Sequence, residues 1–175
     1  MSYFYHGVPE PLTGTVLMPL SKLKSTYPEL FNQHVAKYEG REEILERRIE
    51  LLNCLWNDVI QMLPLHPQTV FNKQKQMGLI PSVPAYKFYK IDFDSLDLDK
   101  VVVFFKTAPG EKHTEVKWLK DVNLATIQHI PPATIAYYQT LIGSGELPFN
   151  YQFIPHFVYK GTLDISHMPI ITLHP

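Results

Sequence analysis

The sequence predicts an α+β domain spanning residues 1–175, on three observations. Helical apolar stripes concentrate in the first half, strand-like runs concentrate in the second, and a further strand opens the chain. At 175 residues the chain is long enough to bury roughly 70% of its unfolded surface without a metal or disulfide staple. Hydrophobic residues at 45% and charged ones at 19% exclude a disordered chain. Ten tyrosines, ten phenylalanines and two tryptophans among fifteen prolines point to a loop-rich fold with aromatic pockets. No internal repeat, linker or low-complexity tract divides the chain.

Residues 3–8 alternate weakly and read as a strand, which Pro9 and Pro11 end because neither donates to a ladder. Residues 14–20 read as a second short strand. Thr26-Tyr27-Pro28-Glu29 has the form of a capping box, so a helix is expected from there, with Leu30, Phe31, His34, Val35 and Tyr38 at helical spacing and Gly40 to end it. From Arg41 a second helix is expected on the stripe Leu45, Ile49, Leu52, Leu55, Trp56, Val59 and Leu63, although residues 56–63 also suit a buried strand. Residues 67–77 predict a short helix closed by Gly78, and 81–84 a loop.

The second half turns to strands. Residues 86–91 alternate, 92–100 carry capping aspartates, and 101–105 form a β-branched and aromatic run expected of a buried central strand. A loop is expected at 107–112 and a strand at 117–122. Pro131-Pro132 opens a helix to about Ile142, ended by Gly143-Ser144-Gly145. The last long strand is expected at 151–159, at an edge or a bulge because Pro155 lies inside it.

A formal net charge of −1 supplies no general attraction to phosphate backbones, so strong nucleic-acid affinity from charge alone is not expected. Cys54, the one cysteine, cannot form an intramolecular disulfide, and its apolar neighbours favour the neutral thiol. With no secretory pattern at the start and no run of eighteen apolar residues, the expected setting is cytoplasmic, without a membrane partner.

The eight histidines include no pair at a three-to-five spacing that would aim two ligands at one ion, so no metal is expected. No nucleophile elbow, Walker loop or dinucleotide glycine fingerprint occurs. His6-Gly7, at the end of the first strand, is suited to hold a ribose hydroxyl while glycine admits the ligand close to the backbone; a surface histidine is the plainer alternative. Asn53, Trp56, Asn57 and Asp58 form a polar and aromatic cluster along the stripe, with groups that need a ligand, a loop backbone or Arg48 as partner; an inter-helix polar contact is the plainer alternative. Tyr138 packs a core or a pocket wall. His156 and Glu146 can orient or activate a reacting sugar, or simply lie at the surface.

Tyr5-His6-Gly7 resembles the first-strand motif of the ADP-ribosyltransferase superfamily, and residues 154–171 resemble the closing strand, turn and strand of its DNA-targeting toxins. The strings 52–58 and 154–161 are also similar to those of a bacterial family to which no function is attached. The resemblance covers the two ends of the chain. It implies a mostly antiparallel split sheet with N-terminal helices, NAD as substrate, and an acceptor that is an unidentified nucleic acid or protein. His6, Gly7, Asn53, Trp56 and Tyr138 are then the candidate NAD contacts. The superfamily's glutamate on or before the late strand polarises the ribose 2′-hydroxyl; this chain has Gln152 and His156 there, with Glu146 upstream, so His156 and Glu146 are the catalytic candidates. Related enzymes that remove an RNA 2′-phosphate also lack the glutamate, but they pair two first-strand histidines, which this chain does not. The alternative is a non-enzymatic nucleotide- or protein-binding module on the same fold.

Overall fold

A computed structural model of the chain describes residues 2–10, 14–105 and 115–175. Strands β1 (Tyr3–Gly7) and β2 (Val16–Leu17) lead into helices α1 (Leu20–Thr26) and α2 (Pro28–Val35). The hairpin β3 (Arg48–Ile49) and β4 (Cys54–Leu55), strand β5 (Val59–Met62) and helix α3 (Pro67–Gln76) follow. Strands β6 (Lys87–Asp92), β7 (Val101–Phe105) and β8 (Glu115–Trp118) precede helix α4 (Pro132–Leu141), and β9 (His156–Lys160), β10 (Leu163–Asp164) and β11 (Ile170–Thr172) close the chain. The architecture is α+β, with antiparallel sheets and four α-helices among the described residues.

β6 is the middle strand of a three-stranded sheet, with β1 and β11 beside it. A second sheet runs in the order β5, β9, β7, β8. The two meet where Tyr5 bridges Leu63, each amide donating to the other's carbonyl at 3.0 and 2.8 Å. Period-two alternation then divides the core. Val101, Val103, Phe157 and Tyr159 join Phe4, Tyr89 and Ile91 in one cluster shared by both sheets. Val102, Phe104 and Val158 emerge on the other face against Ile49 and Leu52. Covered on both faces, β7 has no need of polar alternation, which explains its uninterrupted apolar run. Tyr5, Phe88 and Leu173 pack with Val70 and Phe71 of α3 and Tyr138 of α4.

Several expectations are met in place: the opening strand, α3 with Gly78 behind it at φ +74, the aspartate caps at Asp92 and Asp97, β7, and α4 with proline in its first turn. Others are corrected. There is no capping box at Thr26, whose hydroxyl instead donates back to the Lys22 carbonyl at 3.0 Å and so finishes α1, a helix the sequence reading missed. Pro28 disfavours helical backbone at Tyr27, which sits at φ −141, ψ 74 and separates α1 from α2.

The long helix expected from Arg41 is a short 3₁₀ turn at Glu42–Ile44, the β3–β4 hairpin, and β5. Asn53 takes a left-handed φ of 46 at the hairpin turn, and β5 gains a full ladder with β9, so tertiary pairing overrides the helical period. The strand expected at 151–159 is confined to 156–160, because Phe153 adopts φ +61 and Pro155 stands before the ladder; β9 is thus central, between β5 and β7. At 117–122 only 117 and 118 belong to a strand, and a 3₁₀ turn follows. The loop expected at 107–112 lies outside the described residues.

Phe157, fully buried, packs its ring 4.3 Å from that of Phe4 and so ties the two sheets together. Phe157→Ala is expected to cost about 3–5 kcal/mol, read as a lower denaturant midpoint at unchanged slope. A loss below about 1 kcal/mol would show that this contact does not hold the sheets.

Candidate functional site

Continuing the Tyr5–Leu63 register would pair Gly7 with Gln61. Instead the Gln61 carbonyl accepts from the ring of His6, whose Nδ1 lies 2.6 Å away. A side chain thus occupies the place where a ladder bond would continue, and beyond it a cleft of about 760 Å³ opens, within the ~300–1,000 Å³ usual for small-molecule sites. The end of β1, β5, the turn Trp56–Asp58 and the α1–α2 pair all contribute to its lining. His6 and His156, from opposite ends of the chain, both line it.

Because a carbonyl can only accept, His6 carries its proton on Nδ1, and the neutral ring has its lone pair on Nε2. Burial pushes its pKa below the ordinary 6.5; the Gln61 carbonyl opposes this, and the charges of His34 and Lys37 lower it further. His156 sits on β9 opposite Phe104, its Nδ1 2.7 Å from the Ile154 carbonyl, and so has the same tautomer. Gly7 lines the cleft too. A Cβ there would meet only Phe88 Cε1, at 4.0 Å, so the protein's own packing does not demand a glycine.

The polar cluster of the first half divides in two. Asn53 is exposed and its amide oxygen accepts from Arg48 at 2.6 Å, while Asp58 accepts from the Leu55 amide at 2.9 Å. Neither lines the cleft. Trp56 and Asn57 do. The Trp56 ring stands edge-on to Phe104 at 5.1 Å, and Asn57 Oδ1 is buried without a hydrogen-bond partner, a state that costs about 1–3 kcal/mol unless a ligand supplies a donor.

Tyr138 is buried away from the cleft wall, its hydroxyl donating to the Asn150 carbonyl and accepting from Gln74 Nε2 at 2.9 Å; burial pushes its pKa to about 12. It acts on the cleft through its neighbours, since Asn150 and Tyr151 belong to the lining. Glu146 is exposed beside a separate shallow hollow with Gly78 and Leu147. Among the described residues the cleft's one acidic lining residue is Glu10.

Sequence reasoning singled out neither Glu10 nor Gln61, and assigned His34 to helix packing. The available signal for His34 was a histidine amid Leu30 and Phe31 on an apolar face. Cys54 is half-buried and burial raises its thiol pKa, in keeping with a packing role. Among the described residues no three His, Cys, Asp or Glu side chains converge to hold a metal, and no helix is long and apolar enough to cross a membrane. Comparison of the chain with models of protein families, with curated proteins and with solved structures finds no match.

His6 is separable into two functions by its two nitrogens. Asparagine places an amide N–H where Nδ1 stands and nothing where Nε2 stands. His6→Asn is therefore expected to keep stability within about 0.5 kcal/mol, whereas His6→Ala, which strands the Gln61 carbonyl, costs about 1–2 kcal/mol; chemical denaturation measures both.

His6, His34 and His66 all have pKa values lowered first by burial, so below about 6.5 the unfolded chain binds more protons than the folded one. Stability from these groups is present above 6.5 and lost as pH falls toward their folded values. The melting temperature is expected to drop between pH 7.5 and 5.5, above the carboxylate range, and to drop less in His6→Asn. A rise on acidification would contradict neutral buried rings.

Proposed function

We propose that the cleft binds NAD and that the protein is an ADP-ribosyltransferase-like domain that transfers ADP-ribose to a macromolecular acceptor. The observation that carries this reading is the meeting of His6 and His156 in one cleft at the parting of two antiparallel sheets. Tyr5-His6-Gly7 and residues 154–171 are the segments that resemble the superfamily, with Gln152 and His156 where the superfamily has its glutamate, and the split between sheets is what that resemblance implies.

The lining fits the chemistry of a dinucleotide. His6 Nε2 accepts from a ribose hydroxyl, Asn57 Oδ1 takes an amide or amine donor, and Trp56 offers an aromatic surface to a base or to nicotinamide. In the transfer, a nucleophilic atom of the acceptor bonds to ribose C1′ and nicotinamide leaves with the electron pair of the glycosidic bond. His156 Nε2 takes the proton that the acceptor loses. Glu146, beside its separate hollow, is not needed for this scheme.

The absence of a carboxylate from β9, whose sequence is His-Phe-Val-Tyr-Lys, favours a second reading: a nucleotide-binding module without turnover. Two measurements separate them. NAD is expected to raise the melting temperature, by an amount equivalent to about 2.7 kcal/mol at a hundredfold excess over its Kd, and nicotinamide is expected to accumulate on incubation. His156→Asn, which keeps an amide donor to the Ile154 carbonyl, should retain the thermal shift and lose nicotinamide release; Glu146→Gln should leave both unchanged. A shift without release supports the binding module, and no shift overturns the NAD reading.

A further inference from the structure

We infer that His34 and Lys37 form an anion subsite on the α2 side of the cleft that takes a phosphate of the bound nucleotide, an inference that rests on the nucleotide reading above. Lys37 Nζ lies 3.2 Å from His34 Nδ1. An ammonium group has donors only, so the ring nitrogen accepts and the imidazole carries its proton on Nε2. The pair therefore presents donors alone: His34 Nε2–H and the two remaining N–H groups of Lys37. Tyr38 follows in the chain and accepts from Gln61 Nε2 at 3.3 Å, which leaves its own O–H to donate. All three residues line the cleft.

This cluster has no internal counter-ion. None of the ion pairs among the described residues involves Lys37 or Glu10; Glu10, the cleft's acidic lining residue, meets α2 through its backbone, its carbonyl accepting from Gln33 Nε2 at 3.2 Å. The positive character reaches the sugar-binding candidate: His34 and Lys37 both act on His6 to disfavour its protonation, after burial itself. The pyrophosphate of a dinucleotide fits better than a carboxylate because its four unshared oxygens, two on each phosphorus, can accept from the donors at positions 34, 37 and 38, where a carboxylate has two. In a dinucleotide a phosphate adjoins each ribose, so a ribose on His6 brings one toward this cluster.

The test uses inorganic pyrophosphate, ADP-ribose and nicotinamide riboside as probes, with binding followed by calorimetry. Pyrophosphate is expected to bind the wild-type chain and to compete with ADP-ribose. Lys37→Ala and His34→Gln are each expected to weaken ADP-ribose about tenfold and to leave nicotinamide riboside, which has no phosphate, unchanged. Equal ADP-ribose affinity in wild type and both variants overturns the subsite, as does an absence of pyrophosphate binding. If pyrophosphate binds and Lys37→Ala abolishes it while NAD fails to bind, the subsite stands and the NAD reading falls; if NAD binds wild type and variants alike, the reverse holds.

Discussion

The structure turns on the place where two sheets stop being one. Tyr5 and Leu63 exchange amide bonds, and a step later the His6 imidazole takes the Gln61 carbonyl that a continued ladder would have used. Gln61 meanwhile pairs with Val158 on its other side, so β5 stays in its own sheet while β1 follows β6. Pro9, which has no amide proton, could not have extended the ladder on the β1 side. A hydrogen bond from a side chain thus both joins the sheets and sets where they part.

The consequences for chemistry follow from dielectric. On the far side of the sheets the core is apolar and closed, with Phe4 against Phe157, so the parting cannot collapse without unpacking it. On the near side the same backbone presents polar atoms in a partly desolvated space. His6 is held neutral, His156 shares its tautomer, and Asn57 presents an acceptor with no partner. Such groups are costly in a merely structural pocket and useful in one that receives a ligand with complementary donors.

The walls differ in how firmly they are held. β5 lies in a paired sheet with buried neighbours, whereas α1 and α2 have no buried residue. A wall with few buried contacts opens at lower free energy than one within the core, which places the adaptable side of the cleft with α1 and α2, the latter presenting His34 and leading into the 3₁₀ turn that carries Lys37.

Much of this was legible locally. Gly78 after α3, the aspartates at 92 and 97, proline at the start of α4 and the run at 101–105 declare their structure through backbone and side-chain preferences that act within a few residues. Of the residues singled out for their chemistry, His6, Gly7, Trp56 and His156 line the cleft. What the sequence could not show was pairing. The stripe from Leu45 to Leu63 satisfies a helix as well as a hairpin followed by a strand, and only the ladder with β9 chooses between them. Nor does spacing reveal that Arg48 holds Asn53, that Tyr138 supports Asn150, or that Glu146 opens on another hollow. Local stereochemistry is written in neighbouring residues; the coming together of positions 6, 57 and 156 depends on register between distant strands, which only the folded chain decides.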